Sequence, residues 1–219
     1  MDKREAKTID TGKKPRGKPP APPVEGAQDK DQINFTDEES RVMKVSDGGF
    51  DQCYNSQIAV DMESMLIVVT NTVQACNDKQ QVEPILDQLK ALPVELGKPD
   101  NLVADTGYFS DNNVNIYVRG EQKITPLIAV KREGHHPDPM ARFTEPPPLK
   151  EDATEVEKMR HLLLTVAGRA IYAKRKCTVE PVFGIIKAIL GFRQFSLRGL
   201  EKVKGEFNLV AMEIGRAHV

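Results

Sequence analysis

Residues 1–33 limit what this chain can fold into more than any other feature. Lys13-Lys14-Pro15-Arg16-Gly17-Lys18-Pro19-Pro20 runs into Ala21-Pro22-Pro23. A stretch so poor in large apolar side chains cannot bury enough area to offset the entropy lost on ordering it. Its proline density favours an extended, stiffened linker instead. The expected domain therefore covers residues 34–212, enough for one mixed core rather than two, with residues 1–33 as a disordered, basic, proline-rich linker.

The chain as a whole is nearly neutral, with a formal charge of -1 from 31 basic and 32 acidic residues. Any affinity for nucleic acid must therefore rest on local clusters. Cys53, Cys76 and Cys177 are odd in number and form no C-x-x-C pair, which points to neither a disulfide framework nor a zinc site. A reducing cytoplasm is the expected setting. No apolar run reaches the roughly 18 residues of a membrane span, so no membrane partner is expected.

Alternating apolar residues predict strands over residues 54–60 and 65–72, joined by the turn Asp61-Met62-Glu63-Ser64. Val82, Ile85, Leu86, Leu89 and Leu92 recur at helical spacing before Pro93, predicting a helix over 80–92. Residues 101–104 read as a short buried strand stopped by Asp105-Thr106-Gly107. Ser110 can cap a helix running to residue 118, and residues 124–130 read as another strand. Residues 131–153 contain His135-His136 and Pro146-Pro147-Pro148 and read as a loop, with the two histidines solvated rather than bound to metal. Helical patterns return over 155–164 and 179–190, the second preceded by a basic stretch, with Phe183, Ile186, Ile189 and Leu190 facing the core. That order suits an α/β fold in which a mixed sheet is flanked by helices.

Two acidic residues stand where chemistry could occur. Asp105 follows a buried strand, and α/β sheets place their sites at such C-terminal edges; the same position also suits an Asp that merely caps the next turn. Glu180 is surrounded by Lys174, Arg175, Lys176 and Lys187. It reads either as a metal ligand beside a phosphate channel or as an acid in a helix's first turn, stabilised by the dipole. Seven residues separate Glu180 from Lys187, so two helical turns put them on one face. Two carboxylates from distant segments, with cations for phosphates, suit two-ion phosphodiester chemistry, which usually uses a third acid.

Several long stretches resemble the C-terminal half of DDE transposases of bacterial insertion sequences. They are Asp31-Gln32-Ile33-Asn34-Phe35-Thr36-Asp37, Tyr54-Asn55-Ser56-Gln57 with Ala59-Val60-Asp61, Asn77-Asp78-Lys79-Gln80, and Ala104-Asp105-Thr106-Gly107-Tyr108-Phe109-Ser110. Further along come Glu180-Pro181-Val182-Phe183-Gly184-Ile185-Ile186-Lys187, Gly191-Phe192-Arg193 and Leu197-Arg198-Gly199. The resemblance implies a ribonuclease-H-like fold, Mg²⁺ (or Mn²⁺) as cofactor, insertion-sequence ends and target DNA as partners, and a homo-oligomer on paired ends. It makes Asp105 and Glu180 the second and third catalytic, metal-binding acids, with Tyr172, Lys174, Arg175 and Lys187 contacting DNA. The Arg-to-Glu spacing departs from the family by one residue, whereas the Glu-to-Lys spacing agrees.

The family's first acid sits in an Asp-Gly-Thr-Lys-like motif, which does not occur in this sequence. Asp37, Asp47 and Asp61 are the nearby substitutes; Asp61 reads as a turn residue and Asp78 as a helix-start residue supporting the ligands. The sheet is accordingly expected to be incomplete, without its first Asp-bearing strand, and the chain to be a fragment inactive alone. A catalytically dead DNA-binding remnant and a nonfunctional truncated reading frame are the alternatives. Residues 213–219 can be encoded by GAG ATC GGA AGA GCA CAC GTC, which coincides with a common sequencing adapter, and are expected to be a non-native tail.

Overall fold

The computed structural model describes residues 22, 25–26, 32–45, 48–119, 124–130, 140 and 143–216. The chain divides into the units Met1–Ile33 and Asn34–Val219, and the elements all lie in the second. They run β1 (Arg41–Lys44), β2 (Phe50–Cys53), β3 (Asn55–Val60), β4 (Ile67–Val73), α1 (Val82–Lys90), β5 (Asn101–Ala104), α2 (Asp111–Arg119), β6 (Thr125–Ile128), α3 (Glu155–Leu164), α4 (Val166–Gly184) and α5 (Leu200–Arg216). A π-helical turn, Ile185–Ile189, continues α4.

Both pairing modes expected of a mixed sheet occur, but as three separate strand pairs. β1–β2 and β3–β4 are antiparallel and β5–β6 is parallel. The parallel pair encloses α2 in sequence, as a strand-to-strand crossover requires. His135 and His136 lie outside the described residues, as do the rest of 131–139 and residues 141–142 of that loop.

The β3–β4 hairpin separates two cores by simple alternation. Ala59 and its partner Val69 face Val82, Ile85, Leu86, Leu89, Val114, Tyr117 and Met159, while Ile58, Val60 and Ile67 pack with Val182, Ile186 and Ile214. Successive strand side chains point to opposite faces, so the odd-numbered residues of β3 share the first face. Asp61 closes the hairpin as expected, its Oδ2 accepting from the Ser64 amide and hydroxyl, both at 2.7 Å.

Helix starts carry their own signals. Ser110 Oγ accepts from the Asn113 amide at 3.1 Å, and Thr154 with Glu157 forms a reciprocal capping box on α3. Thr165 ends α3 and caps α4, accepting from the Gly168 amide at 3.0 Å while its hydroxyl donates to the Leu162 carbonyl at 2.7 Å.

Three features differ from the sequence expectation. Helix α4 begins at Val166, so the basic stretch 174–176 lies within a helix and Glu180 lies near its C-terminal end; the dipole reading of Glu180 falls with that. Residues 166–177 carry no clear apolar stripe, which hid the helix. The β1–β2 hairpin was not expected because it buries only Met43 and so shows little alternation. Ile189, expected to face the core, is 74% exposed, because the π turn takes more residues per turn and rotates it outward. Helix α5 spans Leu200–Arg216, with Ile214 fully buried.

Candidate functional site

Asp105 sits at the C-terminal end of β5, exposed, and its Oδ1 accepts from the Gly107 amide at 2.8 Å. The capping geometry and a site position therefore coexist in one residue. Gly107 has no side chain at the point where two carboxylates meet. A Cβ there would lie 3.0 Å from Asp105 Oδ1 and 3.0 Å from Asp78 Oδ2, so those two oxygens are no farther apart than twice that distance.

Asp78 is held from the other side. Asn55 Nδ2 and Gln57 Nε2 donate to its Oδ1 at 2.7 and 2.8 Å. Both amides come from β3, two residues apart, on the face that continues into the main core. The buried Asn113 ties the two acidic turns together, its Nδ2 donating to the carbonyls of Lys79 at 2.8 Å and Tyr108 at 2.6 Å. Burial, and then the charges of Asp78 and Asp105, push the Tyr108 phenol well above its ordinary value.

The remaining predicted residues gather on α4, which packs against β5 and β3. The Arg175 guanidinium stacks 5.8 Å above the Tyr172 ring and reaches Glu180 Oε1 at 3.8 Å. Arg175 keeps 21% of its side chain exposed and Glu180 60%, a loose pair with the carboxylate on the solvent side. Lys174 and Lys176 are exposed, and Lys187 Nζ lies 5.8 Å over the Phe183 ring within the π turn. The widened turn moves Lys187 off the strict two-turn register with Glu180. Pro181, directly after Glu180, has no N–H to continue the helical ladder.

Of the substitutes for a first acid, Asp37 is spent elsewhere. Its oxygens accept from the Tyr54 hydroxyl at 2.8 and 2.9 Å and from the Gly199 amide at 3.3 Å, fastening the start of α5. Asp61 closes its turn, and Asp47 lies outside the described residues. Sequence reasoning read Asp78 as a residue supporting the ligands and gave Asn55 and Gln57 no site role. The available signal was the i, i+2 spacing of two amides on one strand.

Among the described residues no three His, Cys, Asp or Glu side chains come together to hold a metal ion. The Asp78–Asp105 pair does suit a hard divalent cation, which takes carboxylate oxygens and keeps several waters.

These features define an α/β protein with an acidic strand edge and a cation-rich helix packed on the same strand. The chain matches the family model described as Transposase DDE domain over residues 23–213, and it belongs to that family. Its function is thereby tied to DNA transposition, with DNA as the substrate the family implies and divalent metal ions as its general cofactor. No match is found among curated proteins or solved structures. No helix among the described residues is long and apolar enough to cross a membrane.

Proposed function

We propose that the chain carries part of the catalytic domain of a bacterial insertion-sequence transposase, residues 34–212 of a ribonuclease-H-like fold, behind a basic linker over 1–33. In this reading Asp105 and Glu180 bind Mg²⁺ (or Mn²⁺) for phosphodiester hydrolysis and strand transfer. The observation that carries it is the packing of α4 on β5: the helix bearing Glu180 lies against the strand whose end bears Asp105.

Bound divalent ions would supply activation of the attacking oxygen and stabilisation of the leaving one. The chain's own residues do the positioning. Asp105 projects from a strand end braced by the Gly107 amide. The Arg175–Glu180 contact is long, at 3.8 Å, and Glu180 is 60% exposed, so a DNA phosphate that draws Arg175 away releases Glu180 at little cost. Tyr172 keeps the guanidinium plane oriented beneath that phosphate, while Lys174 and Lys187 neutralise its neighbours. The DNA partners are element ends and target, held by a homo-oligomer on paired ends in the cytoplasm.

The sequence has no Asp-Gly-Thr-Lys-like acid, and a two-ion site short of one carboxylate positions its ions poorly, so the chain alone is expected to show little or no strand transfer. The test is Mn²⁺-dependent plasmid nicking by the chain alone and with an Asp-bearing strand fused upstream. Nicking that needs the fused strand and is lost in Asp105→Asn and Glu180→Gln supports the reading. Robust strand transfer by the chain alone, or nicking indifferent to Glu180→Gln, would sink it. A DNA-binding remnant without catalysis is the second reading, favoured by the lack of a three-acid group among the described residues. Salt-sensitive DNA binding by the fused protein without any nicking would select it.

A further inference from the structure

Sequence reading makes Asp78 a helix-start residue that supports the ligands, but its environment is that of a ligand itself. Its Oδ1 takes both amide donors from β3, which leaves Oδ2 turned toward Asp105 across the empty side of Gly107. Such a carboxylate is oriented before anything binds. Two carboxylates this close repel each other when both are ionised, and nothing cationic among their hydrogen-bond partners offsets that.

A separate observation marks the same spot. Gln57 is only 3% exposed and its amide is aimed at Asp78, with Nε2 2.8 Å from Oδ1. Its Oε1, on the same amide carbon, is buried without a hydrogen-bond partner among the described residues. Protein interiors satisfy such an acceptor with an ordered water or an ion. A hydrated divalent cation between the two carboxylates would balance their charge, and its water shell is the kind of donor the orphan oxygen lacks.

We infer that Asp78 and Asp105 together ligate one divalent cation, with Asn55 and Gln57 as the positioning residues that hold Asp78 in place. The inference rests on the metal-dependent reading of Asp105 and adds a carboxylate that reading does not include. It also explains why three segments far apart in sequence, 54–57, 77–80 and 104–108, converge on one point.

Direct Mn²⁺ binding, followed by electron paramagnetic resonance on the whole chain, tests it without any assay of activity. Asp78→Asn keeps a carbonyl to accept from Asn55 and Gln57, and a thermal melt checks that the variant is folded. Mn²⁺ affinity is expected to fall roughly tenfold or more in both Asp78→Asn and Asp105→Asn, the scale at which changes around a metal site are felt. Gly107→Ala, which crowds both carboxylates and leaves them charged, should weaken binding too. If Asp105→Asn weakens binding and Asp78→Asn does not, the inference fails and the metal-dependent reading survives. If the unaltered chain binds no Mn²⁺ at millimolar concentration, the inference fails, and the metal-dependent reading then stands or falls on nicking by the fused protein. Should Asp78→Asn not fold, unchanged affinity in Gly107→Ala overturns the inference by itself.

Discussion

Alanine at Gly168 and at Gly205 is the same chemical change in two helices, and the structure assigns it opposite signs. At Gly168 a Cβ would stand 1.8 Å from the Leu162 carbonyl oxygen, 2.7 Å from its carbon and 3.0 Å from Thr165 Oγ1. Carbon and oxygen normally approach to about 3.3–3.6 Å, so the contact is too short by roughly 1.5 Å. The obstacle is backbone and cannot swing aside. Either the last turn of α3 moves or the first turn of α4 opens, which forfeits the Thr165 cap on the Gly168 amide. Overpacking costs about 1–3 kcal/mol where side chains can adjust and a lost cap about 1 kcal/mol, so about 3 kcal/mol or more is expected here. At Gly205, inside α5, nothing lies within 4 Å of the added carbon, and relief of backbone entropy should stabilise by roughly 0.5–1 kcal/mol. A domain of this size shifts its Tm by about 2–4 °C per kcal/mol. Far-UV circular dichroism should therefore show Gly168→Ala melting at least about 6 °C lower and Gly205→Ala about 1–4 °C higher. A Gly168→Ala melt within a degree of the parent would refute the close α3–α4 crossing. A destabilised Gly205→Ala would mean that this face of α5 is covered.

The proposed DNA-facing surface should announce itself in salt dependence: Lys174→Ala and Lys187→Ala are each expected to flatten the plot of log affinity against log salt by about one unit. Unchanged slopes would remove those lysines from the interface. Burial alone would raise the Asp37 carboxyl, but hydrogen bonds from Tyr54 and the amides of Gly199, Glu39 and Ser40 hold it below its ordinary value. Its stabilisation is thus complete above the unfolded-state pKa of about 3.9 and is lost as pH falls through the lower folded value. Acid unfolding followed by circular dichroism should be shallower below about pH 4 in Asp37→Asn, and an identical acid limb would contradict the bonding seen at Asp37. Asn113→Ala removes the link between the Lys79 and Tyr108 carbonyls and leaves two part-buried acceptors unpaired. It should cost roughly 1–3 kcal/mol and weaken Mn²⁺ binding, so a fully stable variant with unaltered Mn²⁺ affinity would show that the two turns hold their places independently.

Most of what could be read in advance was local. The alternation in β3, the helical spacing of Val82, Ile85, Leu86 and Leu89, the Ser110 cap and the Asp61 turn depend on neighbours within a few residues. All reappear in the structure. Helix α4 escaped because its first twelve residues lack the apolar stripe on which periodicity relies, and β1–β2 escaped because an exposed hairpin has little to alternate.

What the chain's order of residues determined alone was the set of short elements, the placement of Asp105 at a strand end and the concentration of cations around Glu180, since each follows from local backbone preference and side-chain period. Tertiary structure decided the partnerships. It spent Asp37 on the start of α5 and brought Asp78 to Asp105 with two amides behind it. Such pairings join residues whose sequence separation carries no period, so only the packing of β3, β5 and the helices around them could bring them within reach.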